Sequence, residues 1–329
     1  MNIFQKRWMT YVLFALLAIG AVAPLFSAQT RLPGWLEVVL GGLMSGVLYS
    51  LVALGLVLIF KASGVFNFAQ GAMVLFAALS LVRLMEKLPF AVAFLATIAI
   101  MVALAWLIER LVLRPLVNQE GIVLFMATLG IAYFLDGLGQ TIWGSEVYTL
   151  DVGMPKEPKI LLESVFEGGI LVGMEDVIAA VISAALVALL ALFFQKTGTG
   201  RALRAVADDH QAAQSIGIPL NRIWVIVWSV AGIVALVAGI IWGSKLGVQF
   251  SLQLVALKAL PVVILGGFTS IPGAIIGGLI IGLGEKLSEV YLGPYLGGGI
   301  ENWFAYVLAL VFLLFRPEGL FGERHIDRV

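Results

Sequence analysis

Charged residues are so sparse along this chain that the intervals between them set its organisation. Residues 8–30, 38–60, 62–82, 88–108, 177–195 and 223–244 contain no Asp, Glu, Lys or Arg. A helix needs roughly 20 consecutive apolar residues to cross the hydrocarbon core of a bilayer, and each interval meets or approaches that length. Residues 121–145 are interrupted only by Asp136, and 302–315 form a shorter apolar stretch that Ile300 and Glu301 extend at the interface. Residues 246–284 hold one charge, Lys258, and are too long for one straight helix. Pro261, Gly266, Gly267, Pro272, Gly273, Gly277 and Gly278 punctuate them, which predicts a break at Pro261 and two short segments near 254–267 and 271–284. Such residues are tolerated in apolar segments where neighbouring helices or a water-lined cavity satisfy the freed backbone groups. The pattern predicts an all-α polytopic membrane protein of about ten transmembrane or half-spanning helices, a single transmembrane domain over 1–329.

Basic residues in short loops orient such a chain. With both termini inside, twelve of the twenty Lys and Arg fall on the cytoplasmic side: Lys6, Arg7, Lys61, Arg110, Arg114, Lys196, Arg201, Arg204, Arg222, Arg316, Arg324 and Arg328. The acidic connection 144–176 then lies outside as a periplasmic loop, and 196–222 lies inside. Lys6-Arg7 followed by an apolar run ending near Ser27-Ala28 resembles a secretory leader. Phe26 is a poor fit at position −3 and the run is long for a leader, so a retained first helix is expected.

Composition narrows the function. The chain is 61% hydrophobic and 12% charged, against about 25% charge in an ordinary soluble domain, which excludes a soluble enzyme. Its net charge of zero gives no basic surface for a nucleic acid. With no cysteine and only His210 and His325, no thiolate nucleophile or Cys/His metal site is available, and neither a metal nor a catalytic group is expected. An intramembrane enzyme would need a nucleophile and base, or a motif such as HExxH, and the sequence has none.

Two sets of residues carry candidate chemistry. In the loop KTGTGRALRAVADDHQAAQSIGIPLNR, Asp208 or Asp209 is placed to cap a short helix, Gly217 to close it and Pro219 to stop it. Ala212 and Ala213 lack bulk, which suits docking into a groove and equally suits an ordinary loop helix. Within or beside the membrane segments lie Asn67, Gln70, Asp136 and Lys258, and intramembrane ionisable groups are costly enough to suggest function. Lys258 stands near the start of its segment, where snorkelling is the alternative, and Asn67 is as well placed to cap a helix as to line a path. Asp136 suits a hydrated vestibule better than a proton relay. An inverted repeat is compatible with the parity of the segments, setting Gly64-Val65-x4-Gln70 opposite Gly247-Val248-x4-Gln253.

Ala212-Ala213-x-x-x-Gly217 resembles the EAA-x-x-x-G loop by which ABC-importer permeases contact their ATP-binding subunits, with Gln211 where Glu is usual. Together with GVLYSLVALGLVLIFKASGVFNFAQGAMVLFAA, GRALRAVADDHQAAQSIGI and LGGFTSIPGAIIGGLIIGLGE, it makes the chain similar to LivH-type permeases of branched-chain (hydrophobic) amino acid ABC importers. The resemblance covers all but the first thirty or so residues and the acidic loop. It implies a type II ABC-importer permease-like fold in a bacterial inner membrane, paired with a second, LivM-type permease, two ATP-binding subunits and a periplasmic substrate-binding protein. It also makes Asp208, Asp209, His210, Gln211, Ala212, Ala213 and Gly217 the coupling residues. Because no GxxxxGK[ST] occurs here, ATP would be bound on the partner subunits and no cofactor by this chain. The rival is a self-contained ion-coupled secondary transporter, with Asp136 and Lys258 as its coupling charges.

Overall fold

The computed structural model describes residues 11–12, 15, 17–26, 32–116 and 119–322. Ten of the 23 residues of the first expected crossing lie outside them; its described part is helical at 11–12, 15 and 17–22 and turns at Ala23–Phe26. The helices that follow are α1 (Leu32–Ser63), α2 (Gln70–Met85), α3 (Phe90–Ile108) and α4 (Gly121–Trp143), then α5 (Met174–Lys196), α6 (Gly198–Asp208), α7 (His210–Ser215) and α8 (Leu220–Leu246). The chain closes with α9 (Val255–Gly266), α10 (Ile271–Leu296) and α11 (Phe304–Phe315). Among the described residues six helices are long and apolar enough to cross a membrane, and Gln70–Met85, Phe250–Gly266 and Phe304–Phe315 are shorter apolar segments. Among the described residues the fold is all-α apart from one hairpin and an isolated bridge between Tyr148 and Val248.

Several boundaries differ from the pattern of charges, each for a local reason. Lys61 does not end α1; it sits in the last turn, where a cation meets the negative end of the helix dipole, and Gly64 (φ +72) stops the helix instead. The next helix therefore begins at Gln70 rather than 62, after a non-helical stretch around Asn67. Pro261 does not break its segment: α9 runs through it. Beyond 284, α10 continues for three more turns, carrying Glu285, Lys286 and Glu289. The acidic connection holds an unexpected antiparallel pair, β1 (Pro158–Leu161) and β2 (Ile170–Gly173), with Ile160 opposite Leu171.

The chain packs as two compact units. One comprises 51–153 and 186–257. Its centre is α2, whose residues Gln70 through Val82 are all buried, as befits a helix apolar on every side. It is enclosed by α3, α4, α8 and the 3-10 turn Phe250–Leu254. A Cβ on Gly71 would lie 2.1 Å from the carbonyl oxygen of Gln253, so the start of α2 and that turn touch backbone to backbone. The two stretches paired by the proposed repeat thus share a form: a long helix ends on a left-handed glycine, Gly64 or Gly247, and a short helix or turn containing the glutamine follows.

The other unit comprises 1–50, 154–185 and 258–329. There the first half of α1 crosses α10 through small residues: a Cβ on Gly282 would lie 2.3 Å from Gly46 N, and one on Gly46 would lie 2.7 Å from Gly278 O. Close backbone approach of this kind is the usual driving force for helix association where lipid removes the hydrophobic one. Ser50 Oγ reinforces the crossing by hydrogen bonds to Gly46 O (2.8 Å) and Ile275 O (3.0 Å).

Candidate functional site

The loop between α5 and α8 is built by two caps in sequence. Thr197 accepts Gly200 N through its hydroxyl (3.2 Å) and opens α6, whose buried side carries Gly200, Leu203 and Val206. The extended backbone of Asp209 (φ −159) ends α6, and its Oδ1 accepts Gln211 N (2.8 Å) and Ala212 N (3.0 Å) to open α7. Ile218 N donates to Ala213 O and Gly217 N to Gln214 O, both at 3.0 Å, with Gly217 at φ +87. Those two bonds form a Schellman close, in which the left-handed residue favours glycine. Asp209 is thus the cap, while Asp208 is the exposed last residue of α6. Of the two alanines, Ala213 is buried and Ala212 exposed, so the free face of α7 presents Gln211, Ala212, Gln214 and Ser215, followed by Ile216.

Asn67 and Gln70 are brought together, and both are buried within their own unit. Asn67 Oδ1 accepts Ala69 N (3.0 Å), a local turn that delays the start of α2, and Nδ2 donates to Gln70 Oε1 (3.4 Å). Gln70 Nε2 donates to Ala231 O on α8 (3.3 Å), in space left by Gly55. Phe66 and Phe68 flank the break, and Thr128 of α4 pins it through Phe68 N (3.5 Å) and Phe66 O (3.4 Å). Asp136, on α4, is half-buried, and its Oδ1 has no hydrogen-bond partner among the described residues.

Lys258 is half-buried in the other unit, its Nζ donating to Glu301 O at 3.4 Å. It belongs to a cluster the charge-free intervals did not reveal. Glu285 is only 3% exposed, and Tyr49 Oη donates to its Oε2 at 2.9 Å. Lys286 pairs with Glu301 (3.3 Å), and Glu289 accepts Gly299 N (3.0 Å) and Glu301 N (3.1 Å). Three carboxylates and two ammonium groups therefore converge on the last turns of α10, with Lys258 and Lys286 both acting electrostatically on Glu285. The missed signal was the period: Gly278, Gly282 and Glu285 follow one another at helical spacing on the face packed against α1.

The family described as "Branched-chain amino acid transport system / permease component" matches residues 38–316. The chain is 30% identical to the high-affinity branched-chain amino acid transport system permease protein LivH of Salmonella typhimurium, over 90% of this chain and 98% of that one. It is 27% identical to the corresponding permease protein BraD of Pseudomonas aeruginosa, again over 90% and 98%. Among solved structures it is similar to PsaBC from Streptococcus pneumoniae in complex with Fab, at 15% identity and a TM-score of 0.43, over 84% of this chain and 90% of that one.

Proposed function

We propose, because the chain belongs to the family of branched-chain amino acid transport system permease components, that it carries branched-chain or other hydrophobic amino acids inward, powered by ATP hydrolysed on separate subunits. The chain is a permease subunit and not itself an enzyme. The observation that carries the coupling part of this reading is the doubly capped pair α6 and α7. A doubly capped two-helix element, whose exposed face carries Gln211, Ala212, Gln214 and Ser215, stands between two spanning helices, where a partner's movement would be passed directly into α5 and α8. Asp208, Asp209, His210, Gln211, Ala212, Ala213 and Gly217 form or shape that element. Ala213 and Gly217 hold it together, whereas Gln211 and Ala212 meet the ATP-binding subunit.

In this reading both termini, α6 and α7 are cytoplasmic, and a periplasmic binding protein delivers the solute to the side carrying residues 144–176. The excess of Lys and Arg in the connections at the other ends of the helices supports that orientation. A second permease subunit completes the path. Asp136 in one unit, and Lys258 with Glu285 in the other, are the polar groups offered to the solute, whereas Asn67 and Gln70, buried and hydrogen-bonded within their own unit, hold the break before α2. The unsatisfied Oδ1 of Asp136 and the incompletely matched charges around Glu285 support the first three. Reconstitution in proteoliposomes tests the reading: tritiated leucine should enter only with ATP, the ATP-binding subunits and the binding protein together. Uptake by the permease alone, driven by an ion gradient, would establish the secondary-transporter alternative instead.

A further inference from the structure

A cleft of about 430 Å³ opens beside the coupling helices, lined by Ser63, Gly64 and Val65 at the end of α1, Gln119, Gly121 and Leu124 at the start of α4, Asp208, Asp209 and Gln211 of the loop, and Leu220 and Trp224 of α8. Its size falls within the range of small-molecule sites, roughly 300–1,000 Å³. Its lining divides by chemistry. Val65, Leu124, Leu220 and Trp224 form an apolar wall. The carboxylate of Asp208 makes no hydrogen bond or ion pair among the described residues. Gly121 opens the 23-residue helix α4 with a backbone N–H that has no acceptor among the described residues, and Glu120 places no side-chain cap on it. Such amides at the positive end of a helix dipole favour a carboxylate.

We infer that this cleft is a cytoplasmic-side binding site for a small amphipathic zwitterion, an α-amino acid with an aliphatic side chain, and that its occupancy restrains α6 and α7. One ligand of that class satisfies all three parts of the lining: its ammonium faces Asp208, its carboxylate the free amide of Gly121 at the start of α4, and its side chain the wall of Leu124, Leu220 and Trp224. The cleft touches the coupling loop and three spanning helices at once. A molecule wedged there opposes any movement of α7 relative to the α1 and α4 ends, so the imported product slows its own import. This inference rests on the transport reading above.

The test uses the complete transporter in proteoliposomes, with its binding protein and L-leucine outside and ATP inside. The quantity read is the ratio of initial uptake with and without millimolar L-leucine in the lumen. For wild type that ratio should fall severalfold, whereas lumenal isocaproate, which lacks the ammonium, and isopentylamine, which lacks the carboxylate, should leave it near one. Leu124→Trp, which fills the cleft, should restore the ratio with leucine to near one. Gln119→Leu, which removes a polar rim group, should raise it partway and serves if the tryptophan variant does not assemble. A wild-type ratio near one overturns the inference, as does inhibition by isocaproate equal to that by leucine, or equal inhibition of wild type and variants. If no leucine enters under any condition, the transport reading fails. Equilibrium binding of tritiated leucine to the solubilised complex then decides the site: binding weakened by Leu124→Trp supports it, and absence of binding overturns it.

Discussion

Replacing Gly282 by alanine adds one methyl group where α10 meets α1, and the backbone there has no room to yield. The new Cβ would lie 2.3 Å from Gly46 N, 2.5 Å from Gly46 Cα and 2.6 Å from Gly42 O. Restoring contact distances near 3.5 Å requires the helices to part by about 1 Å. At that separation the Ser50–Ile275 hydrogen bond at 3.0 Å and the Tyr49–Glu285 bond at 2.9 Å are stretched past useful length. Overpacking costs about 1–3 kcal/mol, each interhelical bond within a membrane about 0.6 kcal/mol, and the better helix propensity of alanine returns up to about 1 kcal/mol. The net loss is about 1–3 kcal/mol. Gly41→Ala provides the control, because its added Cβ meets nothing within 4 Å and only the propensity gain remains. Apparent melting temperature in detergent, followed by size-exclusion chromatography after heating, should fall for Gly282→Ala and hold or rise for Gly41→Ala. Equal melting of the two variants would refute the tight crossing.

Asp209→Ala removes an acceptor of two amide groups and should cost the loop about 1 kcal/mol, lowering ATP-coupled uptake partially. Gly217→Val forces a β-branched residue to φ +87 and should lower uptake further at normal membrane content. Ala212→Trp should abolish stimulation of the ATP-binding subunits while the protein remains folded, whereas Ala213→Trp should reduce the amount of folded protein; the reverse pattern, read by pull-down and immunoblot, would contradict the observed orientation of α7. A cysteine introduced at Glu157 of this cysteine-free chain should react with an impermeant maleimide from the periplasmic side, and labelling from the cytoplasm alone would reverse the assigned orientation.

The spanning helices were legible because the bilayer imposes a condition that acts on each segment separately: a long interval without charge. The coupling loop was legible for a similar reason, since Asp209, Gly217 and Pro219 act within a few residues of themselves. What escaped depends on partners far along the chain. Glu285 is buried by Tyr49, 236 residues earlier, so the sequence offered it only as the end of an apolar run. The inward turn of Ala213 depends on how a six-residue helix is seated, which its own residues do not specify. The hairpin joins two four-residue strands without the Asn-Gly or Asp-Gly turn that marks shorter ones, and the late start of α2 depends on the side chain of Asn67 folding back onto Ala69.

Two of the short apolar helices, α2 and α11, differ in their exposure to lipid. At 1.5 Å per residue they measure about 24 Å and 18 Å, both less than a hydrocarbon core of about 30 Å. Protein encloses α2 on every side, so its length is invisible to the bilayer. In contrast, α11 exposes Val307, Leu310 and Leu314, with Trp303 just before its first residue, and acyl chains packed on that face would have to thin to meet it. Hydrophobic mismatch costs fractions of a kcal/mol per Å, which places membrane-thickness sensitivity at α11. Lipids with shorter tails relieve that strain and longer ones increase it, so acyl-chain length becomes a control on this protein that acts at its C-terminal helix and leaves the buried α2 untouched.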